Sequence, residues 1–229
     1  MIELHFWPTP NAWKITIMLE ETGLDYRLSQ VNLSQGEQFT PAFLAISPNA
    51  RMPAIVDHDG PGGEPWSVFE SGAILQYLGE KTGRFYPADR RQRSLVEQWL
   101  FWQCAGLGPM LGQAAHFGYM KEPIPYAVER YGKEARRLYG VMDRRLAEAP
   151  YLAGEYSIAD MACWPWIRGY KSLGIDLAEF PAVRRWFKDV GAREAVARGA
   201  NIGKEDFARR QSAMKAAADP AAPAEGDAP

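Results

Sequence analysis

The sequence predicts an α+β N-terminal domain, a mixed sheet with helices on its faces, followed by an all-α domain. Three observations carry this. Up to about residue 83, short β-prone runs alternate with helical periodicities in the order strand, helix, strand, helix, strand, strand, helix. After Arg84-Phe85-Tyr86-Pro87-Ala88 breaks that pattern, only helical periodicity remains. A chain of 229 residues can also bury enough surface for two such units.

Ile2 to Phe6 is the first strand, ended by Trp7-Pro8-Thr9-Pro10. A helix follows from Asn11, with Ile15, Met18 and Leu19 at helical spacing and Gly23 as its stop. Tyr26 to Val31 is the second strand. A polar loop, Ser34-Gln35-Gly36-Glu37-Gln38, leads to a short helix from Pro41 to Ile46. Strands near Ala54 to Val56 and Trp66 to Val68 are joined by a turn at Gly60-Pro61-Gly62-Gly63, and a helix runs from Glu70 to Gly83. That order is thioredoxin-like.

The domain reading is therefore 1–83, a linker at 84–88, a helical domain over 89–218, and a disordered Ala- and Pro-rich tail over 219–229. Asp89 to about Gly118 is a long helix with Leu95, Trp99 and Trp102 on one stripe and a kink expected at Gly108-Pro109. Ile124 to Glu148 follows, with Tyr131, Leu138, Met142 and Leu146 inward. Ser157 and Asp160 have the spacing of a capping box, a folding signal rather than a catalytic one. Pro181 to Arg193 gives another helix, and residues 204–218 are expected to be helical.

A net charge of -2 provides no general drive toward nucleic acid or anionic lipid. The N-terminal residues lack the order of a signal peptide and no apolar run spans a bilayer, so a cytoplasmic protein is expected, with no membrane partner. The two cysteines, Cys104 and Cys163, form no C-x-x-C, and three scattered histidines add nothing to a metal case.

Two segments carry the chemistry. Pro53 opens an apolar strand, where a proline removes a ladder hydrogen bond, so a tight turn is expected, with a cis Met52-Pro53 bond as one form of it. The Met52 backbone would then be unpaired, able to bind an extended peptide as one more strand. Downstream, Glu70-Ser71 stands at a helix start, where free N–H groups and the positive dipole end favour a carboxylate. Ser71 would hold a ligand carboxylate and Glu70 its amino group. An amino acid joined to an extended peptide describes glutathione. In isolation, Met52 reads equally as core, and Glu70 and Ser71 as helix caps.

Thr9-Pro10-Asn11 occupies the place, between first strand and first helix, where redox proteins of this topology carry C-x-x-C. No cysteine is present there, so any thiol must be brought in by the ligand, and a helix start with a hydroxyl and an amide would favour its thiolate. The alternative is plain capping, with Thr9 at N-cap and Pro10 at the first helical position.

These residues, together with Ile46-Ser47-Pro48-Asn49, the Pro-Ala-Ile-Val-Asp run from Pro53, Phe69 to Ile74, Trp99 to Gln103, Gly106 to Met110 and Tyr156 to Asp160, resemble the glutathione transferase superfamily. They are most similar to its bacterial Nu class. The resemblance covers Met1 to about Gly203. It implies the cytosolic glutathione transferase architecture, a homodimer, glutathione or its disulfide as ligand and cosubstrate, and no metal. It places Thr9 and Asn11 beside the sulfur as catalytic residues, with Gln38, Met52, Pro53, Glu70, Ser71 and Arg130 also contacting glutathione. Gln38 reads otherwise as a solvated loop residue, and Arg130 as the partner of Glu134 in a surface ion pair. In this family the Ser157–Asp160 box is a shared structural feature, which makes Asp160 buried and hydrogen-bonded.

The activity implied is glutathione-dependent disulfide-bond reduction. The alternatives are conjugation to an electrophilic carbon, or glutathione binding without catalysis. Cys104 departs from the apolar residue expected there and reads as inert core. Phe117, Tyr119, Trp166 and Tyr170 are candidates for the wall of a second-substrate pocket or for core. Trp99, Phe101 and Trp102 place more apolar surface around one helix than a single buried stripe needs, which points to a second subunit.

Overall fold

The computed structural model describes residues 1–203, so the helix expected at 204–218 and the disordered tail expected at 219–229 lie outside the described residues. The elements are β1 (Ile2–Phe6), α1 (Pro10–Thr22), β2 (Tyr26–Gln30), α2 (Pro41–Leu44), β3 (Ala54–Asp57), β4 (Trp66–Phe69) and α3 (Ser71–Thr82). They continue as α4 (Arg90–Trp102), α5 (Gly108–Gly118), α6 (Pro125–Glu148), α7 (Ile158–Ile167), α8 (Pro181–Gly191) and α9 (Glu194–Gly199). The four strands lie in the order β2-β1-β3-β4, with β1 parallel to β2 and antiparallel to β3, and β3 antiparallel to β4. The mixed sheet and the helical region after it are those expected.

Helix α1 organises the packing. It contacts α3, α7 and α9, and Ala12 through Leu19 are all buried. The sequence pattern of Ile15, Met18 and Leu19 marks only one face of it. The others are covered by the helices that follow, so Lys14 and Thr16 are enclosed with the apolar residues. Thr16 Oγ1 donates to the Gly199 carbonyl at 2.8 Å. A Cβ on Gly199 would meet the Ile17 nitrogen at 2.7 Å, so glycine is what lets α9 approach this closely.

The expected kink takes a specific form. Between α4 and α5 the chain makes a π-turn over Gln103–Leu107, and Pro109 lies in the first turn of α5, where its missing N–H costs nothing. The stripe expected on α4 is displaced by one position. Val96 and Leu100 are buried, Trp99 and Trp102 are half-buried, and Leu95 is exposed along with Phe101. Both faces of α4 are apolar, and the face carrying the smaller side chains packs inward. On α6, Leu138, Met142 and Leu146 are buried as expected. Tyr131 is only half-buried and stacks on Phe117, with ring centroids 5.4 Å apart.

The segment from Arg84 to Ala88 is pinned at both sides. Tyr86 is buried and its hydroxyl donates to Glu97 and accepts from Gln76, while the Phe85 carbonyl accepts from the Ile158 N–H. At the start of α7 the capping box is complete. Asp160, fully buried, accepts from the N–H groups of Leu152 and Ser157, the Ser157 hydroxyl and Trp186 Nε1.

Candidate functional site

The Met52–Pro53 peptide bond is cis, and neither the N–H nor the C=O of Met52 is hydrogen-bonded to another described residue. Just before it, the buried Ser47 donates from Oγ to the Arg51 carbonyl at 3.0 Å, which fixes the loop that presents Met52. The Met52 side chain points the other way, into a small core with Val31, Phe43 and Ala54. Met52 is thus both a core residue and a free backbone edge, and the two readings of it do not compete.

Beside this edge lies the start of α3. Glu70 sits at its N-cap position with φ of 71°, a left-handed conformation for a residue with a Cβ, and its exposed carboxylate makes no capping hydrogen bond. The first N–H groups of α3 are therefore not consumed by a side-chain cap. Ser71, buried, is the first residue inside the helix. Asn11, Ser47, Arg51, Met52, Pro53, Phe69, Glu70 and Ser71 together line a cleft of about 170 Å³. Of the expected ligand contacts, the structure brings Asn11, Met52, Pro53, Glu70 and Ser71 into one pocket.

Thr9 caps α1, its Oγ1 accepting from the Ala12 N–H at 3.3 Å, and this leaves the hydroxyl proton unused. Asn11 Oδ1 accepts from Trp166 Nε1 at 3.0 Å. An indole N–H can only donate, so the amide oxygen must face it and the amide NH2 is left for the cleft. The start of α1 thus offers a hydroxyl, an amide and the positive end of a thirteen-residue helix.

Gln38 differs from the solvated loop residue weighed above. It is buried in the short turn Glu37–Phe39, and its Oε1 has no hydrogen-bond partner among the described residues. Arg130 is not brought to the Met52–Ser71 cleft. It lines a separate, wider groove of about 860 Å³ with Tyr126, Tyr131, Lys133 and Arg137. The ion pair weighed for it is absent too, because Glu134 takes Arg137 instead, through two bonds of 2.7 Å. Of the four aromatic candidates, Tyr119 and Trp166 line an apolar cavity of about 400 Å³ with Pro10, Trp13 and Leu111. Phe117 instead stacks on Tyr131, and Tyr170 meets Phe187 edge-on.

Sequence reasoning missed two contributors, Lys14 and Gln103, and one role of a third: Trp166, expected only as pocket wall or core, also orients Asn11, as above. Lys14 lies fully enclosed beneath the cleft, and Gln103 is buried on the π-turn; Lys14 Nζ donates to Ser71 Oγ at 3.1 Å and to Gln103 Oε1 at 2.5 Å. Burial brings the Lys14 ammonium down to about 8, a shift that the Glu70 carboxylate partly opposes. Burial pushes both thiols up, Cys163 well above the ordinary range. The available signal was a lysine inside an otherwise apolar helical run, which an amphipathic pattern assigns to solvent.

Comparison with known proteins is consistent with this geometry. Residues 1–80 match the glutathione S-transferase N-terminal domain, and residues 125–189 match the glutathione S-transferase C-terminal domain. The chain is 54% identical over 211 residues to the disulfide-bond oxidoreductase YfcG of Escherichia coli, covering 90% of this chain and 98% of that protein. A glutathione transferase from Pseudomonas putida, with one glutathione disulfide bound per subunit, superposes with a TM-score of 0.83 at 42% identity, over 88% of this chain and 91% of that one. A Pseudomonas fluorescens family member with two glutathione bound gives 0.82 at 42%, over 87% and 92%.

Proposed function

This chain belongs to the glutathione S-transferase family, and from that premise we propose that it is a glutathione-dependent disulfide-bond oxidoreductase whose thiol is supplied by the ligand. The observation that carries this is the start of α1. Hydroxyl, amide and helix dipole converge there, on a topology that elsewhere carries a cysteine pair, and the position holds Thr9, Pro10 and Asn11 instead.

In this reading the γ-glutamyl carboxylate accepts from Ser71 and the free N–H groups of α3, and the amino group meets Glu70. The cysteinyl unit pairs with the Met52 backbone beside Pro53. Gln38, buried with an unpaired carbonyl oxygen, accepts from a ligand N–H. The sulfur lies at Thr9 and Asn11, whose hydroxyl and NH2 donate to the thiolate. That thiolate attacks a disulfide sulfur, the S–S bond breaks, and the departing thiolate takes up a proton. A second glutathione thiolate then attacks the mixed disulfide, giving glutathione disulfide and the second reduced thiol. Two glutathione molecules are consumed per disulfide, and related structures hold two glutathione or one glutathione disulfide per subunit. Arg130 forms no salt bridge with the described residues of its groove, where Glu129 and Glu134 bond Lys133 and Arg137 instead, and is suited to the carboxylate of the second molecule.

We further propose that residues 1–83 form the glutathione-binding domain and 89–218 the helical one, joined at 84–88. A cytoplasmic homodimer fits the large apolar residues left exposed on α4 and at the β4 edge, Leu95, Phe101, Trp66 and Phe69. Among the described residues no helix is long and apolar enough to cross a membrane. A conjugating activity is the second reading, favoured by the apolar cavity walled by Trp13 and Trp166 beside Pro10.

Parallel assays with glutathione separate the two: a small disulfide should be turned over well and an aryl halide poorly. The reverse would move the chain to conjugation. Glutathione binding with turnover of neither would make it a binding protein.

A further inference from the structure

Lys14 is an anomaly that the proposed mechanism does not use. Its ammonium is almost wholly buried, and the groups it bonds, Ser71 Oγ and Gln103 Oε1, are both neutral. A buried cation without a counter-ion is costly, and folds generally pair such a charge or discard it. Here the surroundings are shaped to keep it. The π-turn over Gln103–Leu107 aims Gln103 inward. A Cβ on Gly108 would stand 2.6 Å from Gln103 Nε2, so that glycine leaves the amide its room. Gln103 Nε2 itself has no hydrogen-bond partner among the described residues, so the amide is held there by its oxygen, on Lys14.

We propose that Lys14 is a positioning residue for the ligand carboxylate, orienting the Ser71 hydroxyl from beneath and supplying the buried charge that the carboxylate balances. This rests on the reading that Ser71 takes the γ-glutamyl carboxylate. Since Lys14 Nζ donates to Ser71 Oγ, the hydroxyl's own hydrogen is turned away from Lys14, and the cleft lined by Ser71 is the polar space open to it. A carboxylate arriving there meets a donor already pointed at it, the N–H groups of α3, and a positive charge one hydroxyl away in a low-dielectric setting, where charge is weakly screened. The charge and the anion thus complete each other. Glu70, whose carboxylate favours the charged form of Lys14, is left for the ligand amine.

The groups facing the ammonium are Glu70 at the start of α3, Cys104 on the π-turn and Cys163 on α7, and burial keeps both thiols in their neutral form near pH 8. Lys14 is then the group whose charge changes there. Its free-protein value is about 8, and a bound carboxylate favours the charged form, so binding takes up a proton.

The test is calorimetric titration of the full chain with three S-methylated ligands, which remove the thiol proton: glutathione, an analogue lacking the γ-glutamyl carboxylate, and one lacking the amine. Lys14→Met should weaken S-methylglutathione roughly tenfold and leave the carboxylate-free analogue unchanged. Lys14→Met should cost less affinity in a Ser71→Ala background than in the native chain, because the orienting part of its effect is already gone. For the native chain, affinity for the amine-free analogue should fall as pH rises through about 8, and Lys14→Met should abolish that fall. If Lys14→Met does not fold, the native pH profile decides, and a flat one overturns the proposal. Equal weakening toward ligands with and without the carboxylate marks a structural role and also overturns it. Unchanged binding by Lys14→Met alongside weakened binding by Ser71→Ala defeats the proposal alone. Unchanged binding by Ser71→Ala defeats the carboxylate reading beneath it.

Discussion

Two helix starts in this molecule look alike in sequence and differ in structure. At α7, Ser157 and Asp160 close a capping box, and the Asp160 carboxylate accepts four hydrogen bonds from donors that are themselves buried. At α3, Glu70 and Ser71 leave the box open: the acid is exposed, its backbone is left-handed, and its side chain caps nothing. The first start is complete within the chain and serves folding. The second has donors to spare and a cation behind it, which suits it to the ligand carboxylate proposed above. Acid-plus-hydroxyl motifs at helix starts are therefore told apart by whether their hydrogen bonds close internally.

The sharpest way to break this contrast is at the closed end. Asp160→Ala strands four buried donors at once, including Trp186 Nε1 at 2.8 Å, and should cost about 3 kcal/mol or more of stability. Urea unfolding measures it. The fraction that remains folded should bind glutathione with an unchanged dissociation constant, since no ligand contact runs through α7's cap. A stable Asp160→Ala with weakened binding would reverse the roles assigned to the two helix starts.

At the open end, stability should carry the cost of holding Lys14 ready. Its folded value of about 8 lies below the 10.5 of an ordinary lysine. Between those values the unfolded chain binds more protons than the native one, so the Lys14 contribution raises stability as pH increases, and the penalty is fully present below pH 8. A lowering from 10.5 to about 8 corresponds to about 3 kcal/mol. The buried thiols and the raised tyrosines Tyr26, Tyr77 and Tyr139 act in the opposite sense toward the alkaline side, because the native chain keeps their protons longer. The difference between native and Lys14→Met unfolding curves isolates the lysine. Ligand-free Lys14→Met should be the more stable at neutral pH, with the gap closing above pH 8. A gap that does not depend on pH would mean that Lys14 holds its proton in the native protein as firmly as in the unfolded chain, so that burial does not lower it.

What the sequence made legible follows the same division. The Met52–Pro53 turn, the α1 cap at Thr9 and the Ser157–Asp160 box are local chemistry, decided by residues a few positions apart. The helix start at Glu70-Ser71 was also legible, because a helix start advertises itself. Lys14 and Gln103 were not, and Trp166 was legible as a candidate pocket wall but not as the partner of Asn11. Lys14 matters because α3, α7 and α9 cover every face of α1, and Gln103 because a π-turn rotates it inward. Trp166 reaches Asn11 across 155 positions of chain. Leu95 was misplaced for a related reason: with two apolar faces on α4, only tertiary packing selects which one is buried.

The smallest expected effect separates capping from chemistry at Thr9, which does both in this reading. Thr9→Ala would confound them, because losing the N-cap alone costs about 0.5–2 kcal/mol. Glycine at an N-cap costs only a few tenths of a kcal/mol, so Thr9→Gly removes the hydroxyl with the helix nearly intact. Disulfide reduction with glutathione should fall, and the apparent pKa of the bound thiol, followed by thiolate absorbance, should rise, because one donor to the thiolate is gone while Asn11 and the dipole remain. Thr9→Ser should restore both. The control is a chain without cysteine. Cys104 is half-buried and Cys163 fully so, burial holds both thiols up, and neither lines the cleft at Met52 and Ser71. Cys104→Ala with Cys163→Ala should therefore keep most of the activity. If that variant folds, binds glutathione and fails to reduce the disulfide, the nucleophile is a protein thiol, and the open helix start holds a ligand without doing its chemistry.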